Sequence, residues 1–125
     1  MKNLRIIFLS LILFTGVMLV SSYAAMEKYG EEITNRKITE VKDIFADPSV
    51  FEGRSVTIEG KIASECSTGC WFYVKVGSGN LTIYVDTGKS GFAIPQKTGR
   101  KILVEGNVVV KKTGPMIQAK GVEIK

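Results

Sequence analysis

The sequence predicts an all-β domain: a small closed barrel of five strands preceded by a short helix. Three observations predict it. Five segments alternate apolar and polar residues with a period of two, the mark of half-buried strands. Turns bearing glycine and proline separate them. Two of the segments also carry one motif, Gly53-Arg54-Ser55-Val56-Thr57-Ile58-Glu59-Gly60 and Gly99-Arg100-Lys101-Ile102-Leu103-Val104-Glu105-Gly106, alike at six of eight positions when Val and Ile are counted together. That echo is too short for a solenoid repeat. Each copy starts after a glycine turn and sets a second glycine where a side chain would block a sharp bend, as the corners of a small barrel require.

With 125 residues the chain supports one small domain. Residues 1–24 read as a signal peptide. Lys2 and Arg5 give a positive start, and Ile6 to Val20 is a run of 15 residues without a charge. Ser22-Tyr23-Ala24 then supplies small residues at the −3 and −1 positions of a cleavage site, which sets the mature start near Ala25. The protein is therefore expected to be exported, to a periplasm or the extracellular space. The alternative is a single N-terminal membrane anchor, but a membrane-spanning helix needs about 20 apolar residues. Residues 25–37 are polar, carry both signs of charge and read as a linker.

The OB-type domain proper is expected over 38–125. Ile38, Val41, Ile44 and Phe45 recur at helical spacing, with Thr39 as N-cap and Asp47-Pro48 as the stop. The strands follow. Val56, Ile58 and Ile62 alternate with Thr57, Glu59 and Lys61; Phe72, Val74 and Val76 with Trp71, Tyr73 and Lys75; Leu81, Ile83 and Val85 with Thr82, Tyr84 and Asp86. Ile102, Val104, Val108 and Val110 share one parity around Gly106. The last strand, Met116 to Ile124, changes phase at Gly121. Gly77-Ser78-Gly79-Asn80 and Thr113-Gly114-Pro115 are the turns, and Thr87 to Gly99 is a longer connection with room for one helical turn.

These residues carry a resemblance. Asp47 to Lys125 resembles OB-fold domains of the tRNA-anticodon-binding type, through Pro48…Gly53-Arg54-x-Val56-x-Ile58-x-Gly60-x-Ile62 and Ile94-Pro95…Gly99-x-x-Ile102-x-Val104-x-Gly106-x-Val108. Cys66-Ser67-Thr68-Gly69-Cys70-Trp71 is similar to a C-x-x-G-C-W signature of small exported bacterial OB-like domains of unknown function. The resemblance implies a five-stranded Greek-key barrel. It says little about a ligand, since OB barrels take oligonucleotides, oligosaccharides and proteins.

Two places could carry chemistry. If Phe72, Val74 and Val76 point inward, then Trp71, Tyr73 and Lys75 point outward, and on the next strand Thr82 and Tyr84 do the same. The outer face of the second and third strands is the usual OB binding face. Three rings and a lysine there suit stacking on bases or sugars. The plainer alternative is that Trp71 and the tyrosines only cover the barrel. The second place is Cys66 and Cys70. In an exported chain such a pair reads first as a disulfide. Soft sulfur ligands could otherwise hold cuprous copper, and zinc is disfavoured with only two thiolates. A redox-active pair is the third reading, with a C-x-x-x-C spacing.

The chain has 17 Lys and Arg, 12 Asp and Glu and no His. Past the leader, which holds Lys2 and Arg5, fifteen bases face twelve acids, a net charge of +3. The missing histidine excludes Ser-His-Asp and Cys-His catalysis and imidazole-bound metals. Glu59, Glu65, Asp86 and Glu105 have no sequence reason to converge, and no phosphate loop is present. The basic residues near the last hairpin (Lys111, Lys112, Lys120) and before the fourth strand (Lys97, Arg100, Lys101) are a weaker hint of a polyanionic partner. The expected function is a non-catalytic binding module without a cofactor, taking single-stranded nucleic acid or another extended polymer. The alternatives are a metal-handling or thiol protein built on Cys66 and Cys70, and a partner-binding structural domain.

Overall fold

Alternation closes into a barrel in the computed structural model, which describes residues 26–125. The strands are β1 (Glu27–Gly30), β2 (Ser55–Glu65), β3 (Trp71–Lys75), β4 (Thr82–Asp86), β5 (Lys101–Lys111) and β6 (Gly114–Ile124). Between β1 and β2 lie two short helices, α1 (Val41–Ala46) and α2 (Pro48–Phe51). The sheet runs β1-β6-β4-β3-β2-β5 and closes through a further β5–β6 pairing. Strands β2 to β6 thus form a closed five-stranded barrel, and β4–β6 is its one parallel pairing. This is OB-type topology: the first three barrel strands form a meander, and the last strand is inserted between the third and fourth. The signal expected over 1–24 lies outside the described residues. Among the described residues no helix is long and apolar enough to cross a membrane.

Period two sets the core. Val56, Ile58, Ile62, Phe72, Val74, Ile83, Val85, Ile102, Val104 and Val108 are all buried, each on the parity expected from the sequence. The phase change in the last strand has a structural cause. Glu105 faces Gly121 and Gly106 faces Ala119, so Lys120 is the extra residue of a β-bulge. Ile117 and Ala119 before it, and Val122 and Ile124 after it, all reach the interior.

The two echoed glycines sit where the barrel turns its corners. A Cβ on Gly60 would run into the Lys75 carbonyl oxygen, and one on Gly106 into the Gln118 carbonyl and the Ala119 backbone. Gly60 lies where β2 passes from its partner β5 to its partner β3. Gly106 lies beside the bulge in the β5–β6 ladder. A side chain in either place would push two ladders apart.

Residues 25–37, expected as a linker, belong to the fold from Glu27 onward. Strand β1 adds a sixth strand by pairing with β6, Tyr29 packs against the core, and Ile33 is buried. The chain then crosses the barrel wall. Thr57 Oγ1 donates to the Asn35 carbonyl at 2.6 Å, and Asn35 N donates to Glu105 at 2.8 Å. Arg36 forks onto Glu123 at 2.6 and 2.8 Å. That hydrogen-bonded ion pair holds the buried Glu123 carboxyl below its ordinary range. A four-residue strand with one apolar ring gives no periodicity to read, which is why the stretch looks like a tether.

The helix needs a smaller correction. Thr39 is not its N-cap: the Thr39 amide donates to the Thr57 carbonyl at 2.8 Å, which holds the chain extended until Glu40. Val41 and Ile44 are buried against the barrel, while Phe45 is exposed. Asp47-Pro48 ends α1 as expected, and Pro48 then opens α2, because its fixed φ suits a first helical position.

Candidate functional site

Strands β3 and β4 pair with Trp71 opposite Asp86, Tyr73 opposite Tyr84 and Lys75 opposite Thr82. Phe72, Val74, Ile83 and Val85 fill the interior at 0–1 % exposure, so the alternate residues stand on the outer face. There the structure brings together the three predicted rings. Trp71 and Tyr84 stack at 5.9 Å with planes 25° apart. Tyr73 meets Trp71 edge-on at 5.9 Å and Tyr84 edge-on at 5.4 Å. Cross-strand register causes this, since directly opposed and diagonal residues of an antiparallel pair are within reach of aromatic side chains. Tyr73 is 37 % exposed, while Trp71 and Tyr84 are half-buried by each other. Burial, then the Asp86 carboxylate, raises the Tyr84 phenol above its ordinary value, so it is neutral at physiological pH. Lys75 extends the row as an exposed cation, and Thr82 is half-buried beside it.

Two members of this face were not readable in advance. The parallel β4–β6 pairing sets Met116 beside Tyr84 and Gln118 beside Asp86. Both are half-buried on the outer side. The pairing joins strands about thirty residues apart, and no local pattern announces it.

The cysteines border the same face. Cys66 opens the turn with its amide bonded to the Trp71 carbonyl at 2.9 Å, and Gly69 N donates back to the Cys66 carbonyl at 2.9 Å. Gly69 takes a left-handed φ of +73° and packs against the Ile94 backbone, where no Cβ would fit. Buried Thr87 donates its hydroxyl to the Gly69 carbonyl at 2.9 Å, and the Thr87 and Gly88 amides donate to the Cys70 carbonyl. The hairpin is thus fixed to the Thr87–Gly99 connection, which holds one helical turn at Gly88–Ser90. Both cysteines are free, and the Cys70 thiol donates to Cys66 Sγ over 3.2 Å. Thr68 Oγ1 stands 3.1 Å from Cys66 Sγ and 3.3 Å from Cys70 Sγ. The Thr68 hydroxyl, then its backbone amide, then the Cys70 thiol lower the Cys66 thiol to about 7. These hydrogen bonds favour the Cys66 thiolate without any helix terminus nearby.

No family model matches this chain, and no curated protein matches it. Solved structures do. The hypothetical protein YgiW from E. coli is 22 % identical, with a TM-score of 0.50 over 71 % of this chain and 90 % of that chain.

That likeness is one of fold, and it agrees with the closed barrel described above. The chain is an OB-like barrel. Among the acidic and thiol side chains of the described residues, no group of three or more is placed to hold a metal ion. Glu65 is engaged elsewhere, accepting from Lys97 N at 2.6 Å and Thr98 Oγ1 at 2.8 Å. Glu105 accepts from Asn35, and Asp86 Oδ1 accepts from Gly88 N at 3.2 Å.

Proposed function

We propose that this protein is an exported, non-catalytic OB-type binding module that takes single-stranded nucleic acid, or another extended polymer with flat faces such as an oligosaccharide, across the outer face of β3 and β4. The observation that carries this is the packing of Trp71, Tyr73 and Tyr84 into one continuous cluster on that face. The rings hold one another in place, so a ligand would meet a platform with little side-chain freedom left to lose. Lys75 and Thr82 offer a cation and a hydroxyl at the platform's edge, where a phosphate or sugar would sit.

The chain's one tryptophan lies in this platform, which makes the test direct. Titration with an oligothymidylate at low salt should change Trp71 fluorescence. Tyr84→Ala should weaken binding by about 1–3 kcal/mol, the usual contribution of one stacked ring. It should cost the fold only about 1 kcal/mol, the worth of an aromatic pair. Absence of binding by oligothymidylate and by neutral oligosaccharides would leave the rings as barrel covering.

A second reading rests on the 3.2 Å approach of the two sulfurs and the lowered Cys66 thiol. The pair is poised to form a disulfide in an oxidising compartment, or to hold cuprous copper between two thiolates. One measurement addresses chain start and thiol state together. The intact mass of the exported protein, taken without reductant, should lack the first 24 residues or so and be about 2 Da below the dithiol value. A full-length mass would contradict cleavage, and two alkylatable thiols with bound copper would establish the metal reading instead.

A further inference from the structure

The register of the barrel assembles a basic row that the linear sequence conceals. Lys61 on β2 is directly opposite Lys75 on β3 and, on its other side, opposite Lys101 on β5. Lys125, next after β6, donates its amide to the Lys101 carbonyl at 3.0 Å and continues the row. Neighbouring strands are about 4.8 Å apart, so the four lysines follow a curved line of roughly 14 Å. All four are exposed. Among the described residues none has a carboxylate within ion-pair distance: the ion pairs use Lys28, Arg36 and Lys97.

Like charges directly opposite one another destabilise a sheet. Strand lysines are commonly explained as guards of a sheet edge. That explanation fails for Lys61 and Lys101, whose strands are paired on both sides. The row also lines a groove of about 620 Å³, walled on the other side by the segment around Ile38 and Thr39. The acids lining the groove are Glu40, Glu59 and Glu123. Glu123 is already taken by the Arg36 fork. Glu59 and Glu123 stand one row further along, on either side of Leu103, so the anion-accepting edge of the groove is the lysine row itself.

We infer that this groove is a second binding site, centred on Lys61 and Lys101 and meeting the aromatic face only at Lys75, for a soluble linear ligand bearing several phosphate groups. A thread-like anion lying along the row would bring a phosphate to successive lysines and relieve their mutual repulsion. Each ammonium would donate a charge-assisted hydrogen bond.

Inorganic tripolyphosphate is the probe, read by calorimetry and by melting temperature. The unmodified protein should bind one equivalent and melt at a higher temperature when it does. The affinity should fall as salt rises from about 50 to 200 mM. Lys61→Ala with Lys101→Ala should lose at least about tenfold in affinity, two charge-assisted bonds being removed. Lys111→Ala with Lys112→Ala removes the same charge from the β5–β6 turn and should bind as the parent does. Tyr84→Ala, which tests the aromatic platform, should leave tripolyphosphate binding unchanged, so either site can fail without the other. Equal losses in the two double variants would reduce the effect to net charge and overturn the site. So would an absence of tripolyphosphate binding at low salt, or co-sedimentation with phosphatidylglycerol vesicles when tripolyphosphate does not bind.

Discussion

Phe72→Ala should destabilise the barrel by about 3–5 kcal/mol, the usual cost of deleting a buried ring together with the cavity it leaves. Phe72 is 0 % exposed and is the largest fully buried side chain among the described residues. It sits on β3 opposite Val85 of β4 and Glu65 of β2, so its ring occupies the interior where the meander strands meet. A small domain has about 5–15 kcal/mol of stability in all, and each kcal/mol moves its melting temperature by roughly 4–8 °C. The variant should therefore melt more than about 12 °C below the parent in a thermal scan followed by far-ultraviolet circular dichroism. Tyr73→Ala is the control. Its ring belongs to the outer cluster, and its loss should cost about 1 kcal/mol. If Tyr73→Ala melts as low as Phe72→Ala or lower, the outward assignment of Tyr73 is wrong and the aromatic platform does not exist.

That parity was readable because burial on one face of a strand leaves a period-two trace in the residues themselves. Phe72-Tyr73-Val74-Lys75 and Ile83-Tyr84-Val85-Asp86 each show it without help from any distant residue. Even the phase change at Gly121 survives in the sequence, since a bulge shifts the apolar positions by one. The segment 25–37 had no such trace. From Glu27 onward its place is fixed by the burial of Ile33, by pairing with β6 and by the Arg36 fork onto Glu123, and the last two depend on residues some ninety positions away. Thr57 shows the same limit. It is polar and alternates with the core residues, yet it is fully buried because that arm lies over it.

The candidate site divides along the same line. Trp71, Tyr73 and Tyr84 were legible as outward rings because each lies in a strand with its own alternation. Their mutual stacking follows from the β3–β4 register. Met116 and Gln118 join the face only through the parallel closure of β4 on β6, and Lys61 meets Lys75 and Lys101 only because β2 pairs on both sides. In the cysteine hairpin the sequence placed the two thiols near each other. It did not reveal that Thr68 would stand between them, because a hydroxyl in a turn usually bonds to nearby backbone.

Gly106→Ala should cost about 3 kcal/mol or more, at or above the upper end of what overpacking usually costs, although it adds one methyl group. The reason is what the methyl would meet. At Gly106 the Cβ would fall on the Gln118 carbonyl oxygen and the Ala119 backbone, which belong to the opposing ladder and cannot rotate aside as a flexible side chain would. Relief requires β5 and β6 to separate beside the bulge, where their pairing closes the barrel. Gly60→Ala should behave alike, since its Cβ would meet the Lys75 carbonyl where β2 changes partners. Gly79→Ala makes the same chemical change in open space with no left-handed φ to strain. It should be neutral or stabilising by about 0.4–1 kcal/mol, through the unfolded chain's lost freedom. Denaturant midpoints of the three variants, measured side by side, decide the matter. Gly106→Ala and Gly60→Ala should unfold at clearly lower denaturant than Gly79→Ala, with the slope of the transition unchanged. If all three match the parent, the echoed glycines are not corners of the barrel, and their shared place in the two eight-residue motifs has another cause.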